Sequence, residues 1–167
     1  MTLATLAPLP PLVAETLADA AEVDALIERA FGPGRYAKAA ERLREGNRPL
    51  PGLCFVARQG GEIVGCVRLW PISIGDTPAV LLGPFAVDEA CRGRGLGAAL
   101  IVRACEAARA AGHGLILLVG DEPYFAPMGF ARAPAVELPG PVDQRRVLVR
   151  ALKSGAADGA KGRAGAP

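Results

Sequence analysis

Apolar positions along this chain fall into two rhythms. Val23, Leu26, Ile27, Ala30 and Phe31 recur at helical spacing, with Asp19 placed to cap the helix start and Gly32-Pro33-Gly34 to stop it. A short strand is expected over residues 12–17 and a second, more polar helix over residues 35–45, ended by Gly46-Asn47-Arg48-Pro49. Shorter apolar runs then read as strands. Residues 54–58 and 62–71 flank Gln59-Gly60-Gly61, the turn of a hairpin. Residues 74–78 form a second turn, and residues 79–87 read as a central strand. Gly83-Pro84 interrupts that strand. Proline has no N–H and both residues weaken pairing, so a bulge or splay is expected there. Leu100, Ile101, Ala104, Cys105 and Ala108 line one face of a helix over residues 98–111, closed by Gly112. Strands follow at residues 115–119 and 145–152, with a loop or short helix over 121–130. This order predicts an α/β (α+β) domain over residues 1–152. Its mixed sheet is flanked by helices and contains a strand–helix–strand crossover. The Gly/Ala-rich residues 153–167 read as a disordered tail.

Composition narrows the function. A chain of 167 residues that is 51% hydrophobic suits one globular domain. A net charge of +2 gives no case for nucleic acid or an anionic membrane as partner. No apolar run approaches the ~18–20 residues of a membrane span. The apolar, proline-broken start lacks the basic residues of a signal peptide, so a cytoplasmic protein is expected. Cys54, Cys66, Cys91 and Cys105 form no CxxC pair, and His113 is the single histidine, so no metal site is expected. Cys54 and Cys66 read as small buried hydrophobes in a reducing compartment.

Chemistry concentrates at Arg92-Gly93-Arg94-Gly95-Leu96-Gly97, between the central strand and a helix. Helix starts leave N–H groups unpaired and partially positive, and glycines let them approach a phosphate. Two arginines add charge-assisted donors. A phosphate or diphosphate ligand is implied, against the alternative of a ligand-free turn. The stretch lacks the Gly-Lys-Ser/Thr of a Walker loop, and its GxGxG spacing fits a dinucleotide loop poorly.

Three stretches together resemble the GNAT acyltransferases: Leu82-Gly-Pro-Phe-Ala-Val87, the loop Arg92–Gly97, and Met128-Gly-Phe130. The loop matches the family's Gln/Arg-x-x-Gly-x-Gly/Ala at Arg92, Gly95 and Gly97. The segment Gly120-Asp-Glu-Pro-Tyr-Phe-Ala-Pro-Met-Gly-Phe130 is similar to that of a bacterial, YhbS-like subgroup. The resemblance implies an N-acetyltransferase that uses acetyl-coenzyme A as co-substrate and a primary amine of a small molecule or peptide as acceptor, by direct attack.

By the same resemblance, Arg92, Gly93, Arg94, Gly95, Leu96, Gly97 and Ala98 would hold the coenzyme diphosphate. Phe85, Ala86 and Val87 would run beside its pantetheine arm, Tyr124 and Phe125 would also contact the coenzyme, and the Phe85 N–H would meet the developing oxyanion. The family's usual acid, a tyrosine four residues before the glycine of Gly-Phe, is replaced by Phe125. Either the adjacent Tyr124 protonates the thiolate, or the thiolate leaves unaided, or the protein is a non-catalytic acyl-coenzyme A-binding module. A toxin-like acetylase of aminoacyl-tRNA would want a more basic surface. Glu62, Asp121 and Glu122 are weak candidates for the base and read first as turn or surface residues. His113 reads as an exposed helix-end residue, Trp70 as core or rim, Cys91 as passive, and Arg145-Arg146 as a solvated strand start. The residues do not specify the acceptor or the acyl length, and a homodimer is no more than common in such folds.

Overall fold

Strands buried on both faces need helices on both sides, and the apolar runs of this chain are arranged that way. A computed structural model describes residues 7–167. In chain order, β1 is Leu12–Ala14, α1 Ala20–Phe31, α2 Ala39–Arg42, β2 Phe55–Gln59, β3 Glu62–Ile74 and β4 Thr77–Val87. Then come α3 Leu96–Ala110, β5 Leu115–Val119, α4 Glu122–Phe125, β6 Ala131–Arg132, β7 Val136–Glu137, β8 Val147–Ala151 and β9 Gly162–Gly165. The main sheet runs β1-β2-β3-β4-β5-β8-β6, and β9 pairs with both β3 and β7. Neighbours in the main sheet are antiparallel except β4 and β5, which are parallel and joined through α3.

Period two decides which helix each residue meets. Val80, Leu82, Ile116 and Leu118 face the side where Leu96, Leu100, Ile101, Ala104, Cys105 and Ala108 of α3 are buried. Leu81, Leu115 and Leu117 face the opposite side, with Trp70, Ile72, Leu43 and Val136. On that side Val23, Leu26 and Ile27 of α1 cover Val56, Ile63, Cys66 and Ala86. Each fully buried leucine or isoleucine contributes roughly 1.5–3 kcal/mol. Gly112 (φ +92°) ends α3, with His113 N–H bonding Ala108 O at 3.0 Å and Gly112 N–H bonding Arg109 O at 3.0 Å.

The expected break in the central strand is present. Val67 of β3 pairs with Phe85, but Leu69 pairs with Leu82, so β4 carries one extra residue around Gly83-Pro84. A cis peptide bond joins these two residues. The β4–β5 pairing covers only Val80 and Leu81, opposite Ile116 and Leu117. Beyond Leu81 the two parallel strands part, and one edge of β4 is left without a strand partner.

Three expectations need correction. The helix expected over 35–45 is a 3-10 turn at Pro33–Ala37, an extended Lys38 and the single turn α2. Only Ala39 and Leu43 bury themselves, and one such pair anchors one turn of helix. Asp19 precedes α1, but its carboxylate does not cap that helix. It accepts from Thr16 N–H at 2.8 Å, the Thr16 hydroxyl at 3.0 Å and Arg58 Nη2 at 2.5 Å. Residues 153–167, expected as a disordered tail, form a 3-10 turn at Ala156–Gly159 and then β9. Small residues there serve close approach. A Cβ on Gly162 would stand 3.2 Å from Gly75 Cα, one on Gly159 2.6 Å from Thr77 Oγ1, and Ala164 is buried.

Candidate active site

The chain between β4 and α3 turns through Gly93 (φ +79°) and Gly95 (φ +84°), values that favour glycine. The first helical bond of α3 is Ala99 N–H to Gly95 O at 3.0 Å. The amides of Leu96, Gly97 and Ala98 therefore precede any acceptor within the helix, at its positive end. Gly97 is glycine for another reason. A Cβ there would stand 2.8 Å from Tyr124 Oη and 3.4 Å from Phe85 Cε2.

A cavity of about 480 Å³ runs along this loop beneath Phe85, Ala86 and Val87, with Phe31 and Tyr124 at its sides. Every residue expected to hold the coenzyme borders it except Arg94 and Phe125. Arg92 is exposed, and its Nε donates to Val87 O at 3.1 Å. Arg94 Nη2 lies 3.3 Å from Ala7 O and 3.5 Å from Pro8 O. Cys91 borders the cavity but is 7% exposed, with Sγ 3.8 Å from Gln59 Oε1.

A second cavity, of about 600 Å³, opens where β4 and β5 part. Its walls are Leu81–Phe85, Leu118–Asp121, the segment around α2, and Pro141–Asp143 with Arg146. Phe31, Phe85 and Tyr124 border both cavities and mark where they meet. The rings of Phe85 and Tyr124 are nearly parallel, at 14° with centroids 6.4 Å apart. Burial pushes the Tyr124 phenol above its ordinary value, so it keeps its proton through the neutral range.

Tyr124 and Phe125 have different surroundings. Phe125 is 5% exposed and packs edge-on against Phe85, Tyr124 and Phe130. Its ring lies where a side chain on Gly120 would be, which accounts for the glycine before Asp121. Tyr124 is the residue beside the loop.

The remaining candidates fall into place around these cavities. Asp121 borders the second cavity and pairs with Arg146 at 3.1 Å, and Glu122 pairs with Arg132. Glu62 sits beside the β2–β3 turn and borders neither cavity. His113 is half-buried rather than exposed. Trp70 is buried, and its Nε1 donates to Gly83 O at 2.5 Å, tying down the bulge. Arg145 and Arg146 are exposed immediately before β8, as expected, and Arg146 also borders the second cavity. Among the described residues, no group of three or more His, Cys, Asp or Glu could hold a metal, and no helix is long and apolar enough to cross a membrane.

Sequence reasoning missed the basic side of the second cavity, made by Arg35, Lys38 and Arg44. Arg44 is the deepest of these. Its Nη1 bonds Glu41 at 2.9 Å, while its Nε is buried without a partner among the described residues. Nothing in the local pattern marks it, because the bulge that faces it lies some forty residues later in the chain.

A bare helix start beside a strand that parts from its parallel neighbour is the frame of an acyl-coenzyme A-dependent transferase. The chain belongs to the acetyltransferase (GNAT) family, whose model matches residues 20–130. It is 31% identical over 117 residues to the uncharacterized N-acetyltransferase YhbS of Escherichia coli strain K12, spanning 69% of this chain and 70% of that one. The crystal structure of E. coli YhbS in complex with CoA superposes with a TM-score of 0.82 at 26% identity, covering 99% of this chain and 94% of that one. A GNAT family acetyltransferase from Brucella melitensis, in complex with acetyl-CoA, superposes with a TM-score of 0.62 at 28% identity, covering 87% and 96%. The protein is thus an acyltransferase enzyme of the N-acetyltransferase class.

Proposed function

We propose that this enzyme moves the acetyl group of acetyl-coenzyme A onto the amine of a small molecule or peptide, with the loop Arg92–Ala98 holding the coenzyme diphosphate. One observation carries the assignment: unpaired helix-start amides flank a groove that reaches an exposed strand edge and then a second cavity. Arg92 and Arg94 add charge to the diphosphate end, and Phe85, Ala86 and Val87 offer backbone groups to the pantetheine arm. The relatives crystallised with CoA and acetyl-CoA support the same ligand.

The amine enters through the second cavity and attacks the thioester carbonyl beside Phe85. A C–N bond forms, and the oxygen takes up negative charge, which the Phe85 N–H stabilises. The C–S bond then breaks, Tyr124 gives its phenolic proton to the departing thiolate, and the proton that the nitrogen sheds on becoming an amide passes through solvent in the second cavity and restores the phenol. Phe125 stays in the core and positions Tyr124 by edge-on packing. The four cysteines are free and buried, which suits a reducing cytoplasm.

Thermal unfolding with acetyl-coenzyme A tests the assignment. Ligand at about a hundred times its dissociation constant adds roughly 2.7 kcal/mol, or about 5–10 °C at this size. The shift is expected in the wild type and not in an Arg94→Glu, Gly95→Asp double variant. Thiol release with an amine panel then reads turnover. Absence of a shift at saturating ligand would sink the assignment.

A further inference from the structure

The second cavity is apolar along Leu82, Leu118 and Phe125 and cationic along one side. Arg35, Lys38, Arg44 and Arg146 border it, against the carboxylates Asp121 and Asp143. Most of these charges are matched: Arg35 with Glu28 at 3.6 Å, Arg146 with Asp121 at 3.1 Å, and Asp143 with Arg145 at 2.9 Å. Lys38 is exposed and lies over the Phe31 ring, with Nζ 5.5 Å from its centroid.

Arg44 is different. Its side chain is 13% exposed, yet Glu41 occupies only Nη1. Among the described residues the Nε has no hydrogen-bond partner, and Nη2 stands beside Gly83, 3.0 Å from where a Cβ would be. Burial pushes this guanidinium below its ordinary value, and Glu41 only partly offsets that. A buried guanidinium with unused donors is costly to keep. The cost makes sense if a ligand completes its set of partners.

We propose that the acceptor is an apolar amino acid whose carboxylate binds Arg44, which sets the distance at which its amine meets the thioester. This rests on the acetyl-transfer assignment above. Gly83 lies two residues before Phe85, so the guanidinium beside it stands close to the expected thioester position. An amine and a carboxylate a few bonds apart suit that short separation, whereas a diamine would bring a second positive charge against Arg44. One carboxylate balances one guanidinium, and Arg35, the other with a buried unpartnered Nε, already has Glu28 within 3.6 Å. Planar guanidinium donors match a carboxylate in shape as well as charge. Leu82, Leu118 and Phe125 receive the apolar side chain.

The test compares leucine, methionine and phenylalanine with their carboxamides, following thiol release from acetyl-coenzyme A. At least one acid is expected to exceed its amide by about tenfold or more in kcat/KM, because the amide leaves the buried donors poorly paired. In Arg44→Gln, checked for folding by its acetyl-coenzyme A melting shift, the ratio is expected to fall to about one. Calorimetry of the N-acetyl amino acids and their amides on the CoA-loaded wild type gives a readout that needs neither turnover nor the variant. Discrimination in binding without turnover would remove the catalytic assignment and leave the carboxylate site standing. Equal handling of acids and amides, or binding of neither, overturns the proposal while leaving coenzyme binding untouched.

Discussion

Tyr124 and Phe125 show how much hangs on a single step along the chain. Successive residues on a helical turn point about 100° apart. Moving the aromatic hydroxyl by one position therefore swings it between the core and the groove. The family pattern pointed to Phe125 as the position of the acid, but burial claimed that side chain, and Tyr124 faces the loop glycine instead. Its role is tested by Tyr124→Phe. The variant is expected to lose about 10²-fold or more in kcat with acetyl-coenzyme A binding retained, as pre-steady-state and melting measurements would show. Because the phenol titrates above its ordinary value, the wild type should lose activity only at strongly alkaline pH, as the proton is lost. That alkaline limb should be missing from the variant. Gly97 gives a complementary case. Alanine is the better helix former by up to about 1 kcal/mol, but its methyl group would crowd Tyr124 Oη and Phe85. Gly97→Ala is expected to keep or raise the melting temperature while the KM for acetyl-coenzyme A rises severalfold.

Elements were legible where a strong period or a glycine and proline signal spoke for itself. The α1 and α3 faces, the β2–β3 hairpin and the β4 bulge were all visible. The bulge was readable because Gly83-Pro84 cannot sustain a central strand whatever surrounds it. The segment at 33–45 was read too regularly, since polar residues with good helix propensity say little when only Ala39 and Leu43 find a core. The C-terminal stretch was misread for the opposite reason. Glycine and alanine look like disorder in composition, yet here they let the turn at Ala156–Gly159 lie against Thr77 and β9 against Gly75. Ending the chain after Lys153 would strip β9 from Ser73 and Ile74 and uncover Ile74, which is fully buried. A loss on the order of 2 kcal/mol is expected, which at this size is a drop of about 4–8 °C in scanning calorimetry.

Across the whole molecule, the coenzyme half and the acceptor half were unequally readable. The coenzyme half is nearly continuous in sequence, from Phe85 to Ala98, so its logic could be seen in one stretch. The acceptor half draws on residues around 31–44, 81–85, 118–125 and 141–146. Only folding brings those together, and no local spacing encodes their meeting. The N-terminal segment is tied to this body through Asp19, which joins Thr16 to Arg58 of β2. The Thr16 amide and Arg58 hold the Asp19 carboxyl below its ordinary value. A depressed folded value means that its contribution is complete above the unfolded value near 4 and is lost as pH falls through the folded one. Asp19→Asn should therefore melt below the wild type at pH 7, and the gap should narrow as pH falls below about 4, as calorimetry across that range would show.

Phe85 and Tyr124 stand where the two cavities meet, and apart from Phe31 the remaining walls are separate. In terms of traffic, the proposed assignment brings donor and acceptor to one point by different doors. Neither ligand has to pass through the other's channel, so the spent coenzyme need not leave before the acetylated product, nor the product before the coenzyme. Crowding on one side does not block the other. A rise in free coenzyme A should compete with the donor and leave the acceptor's path open.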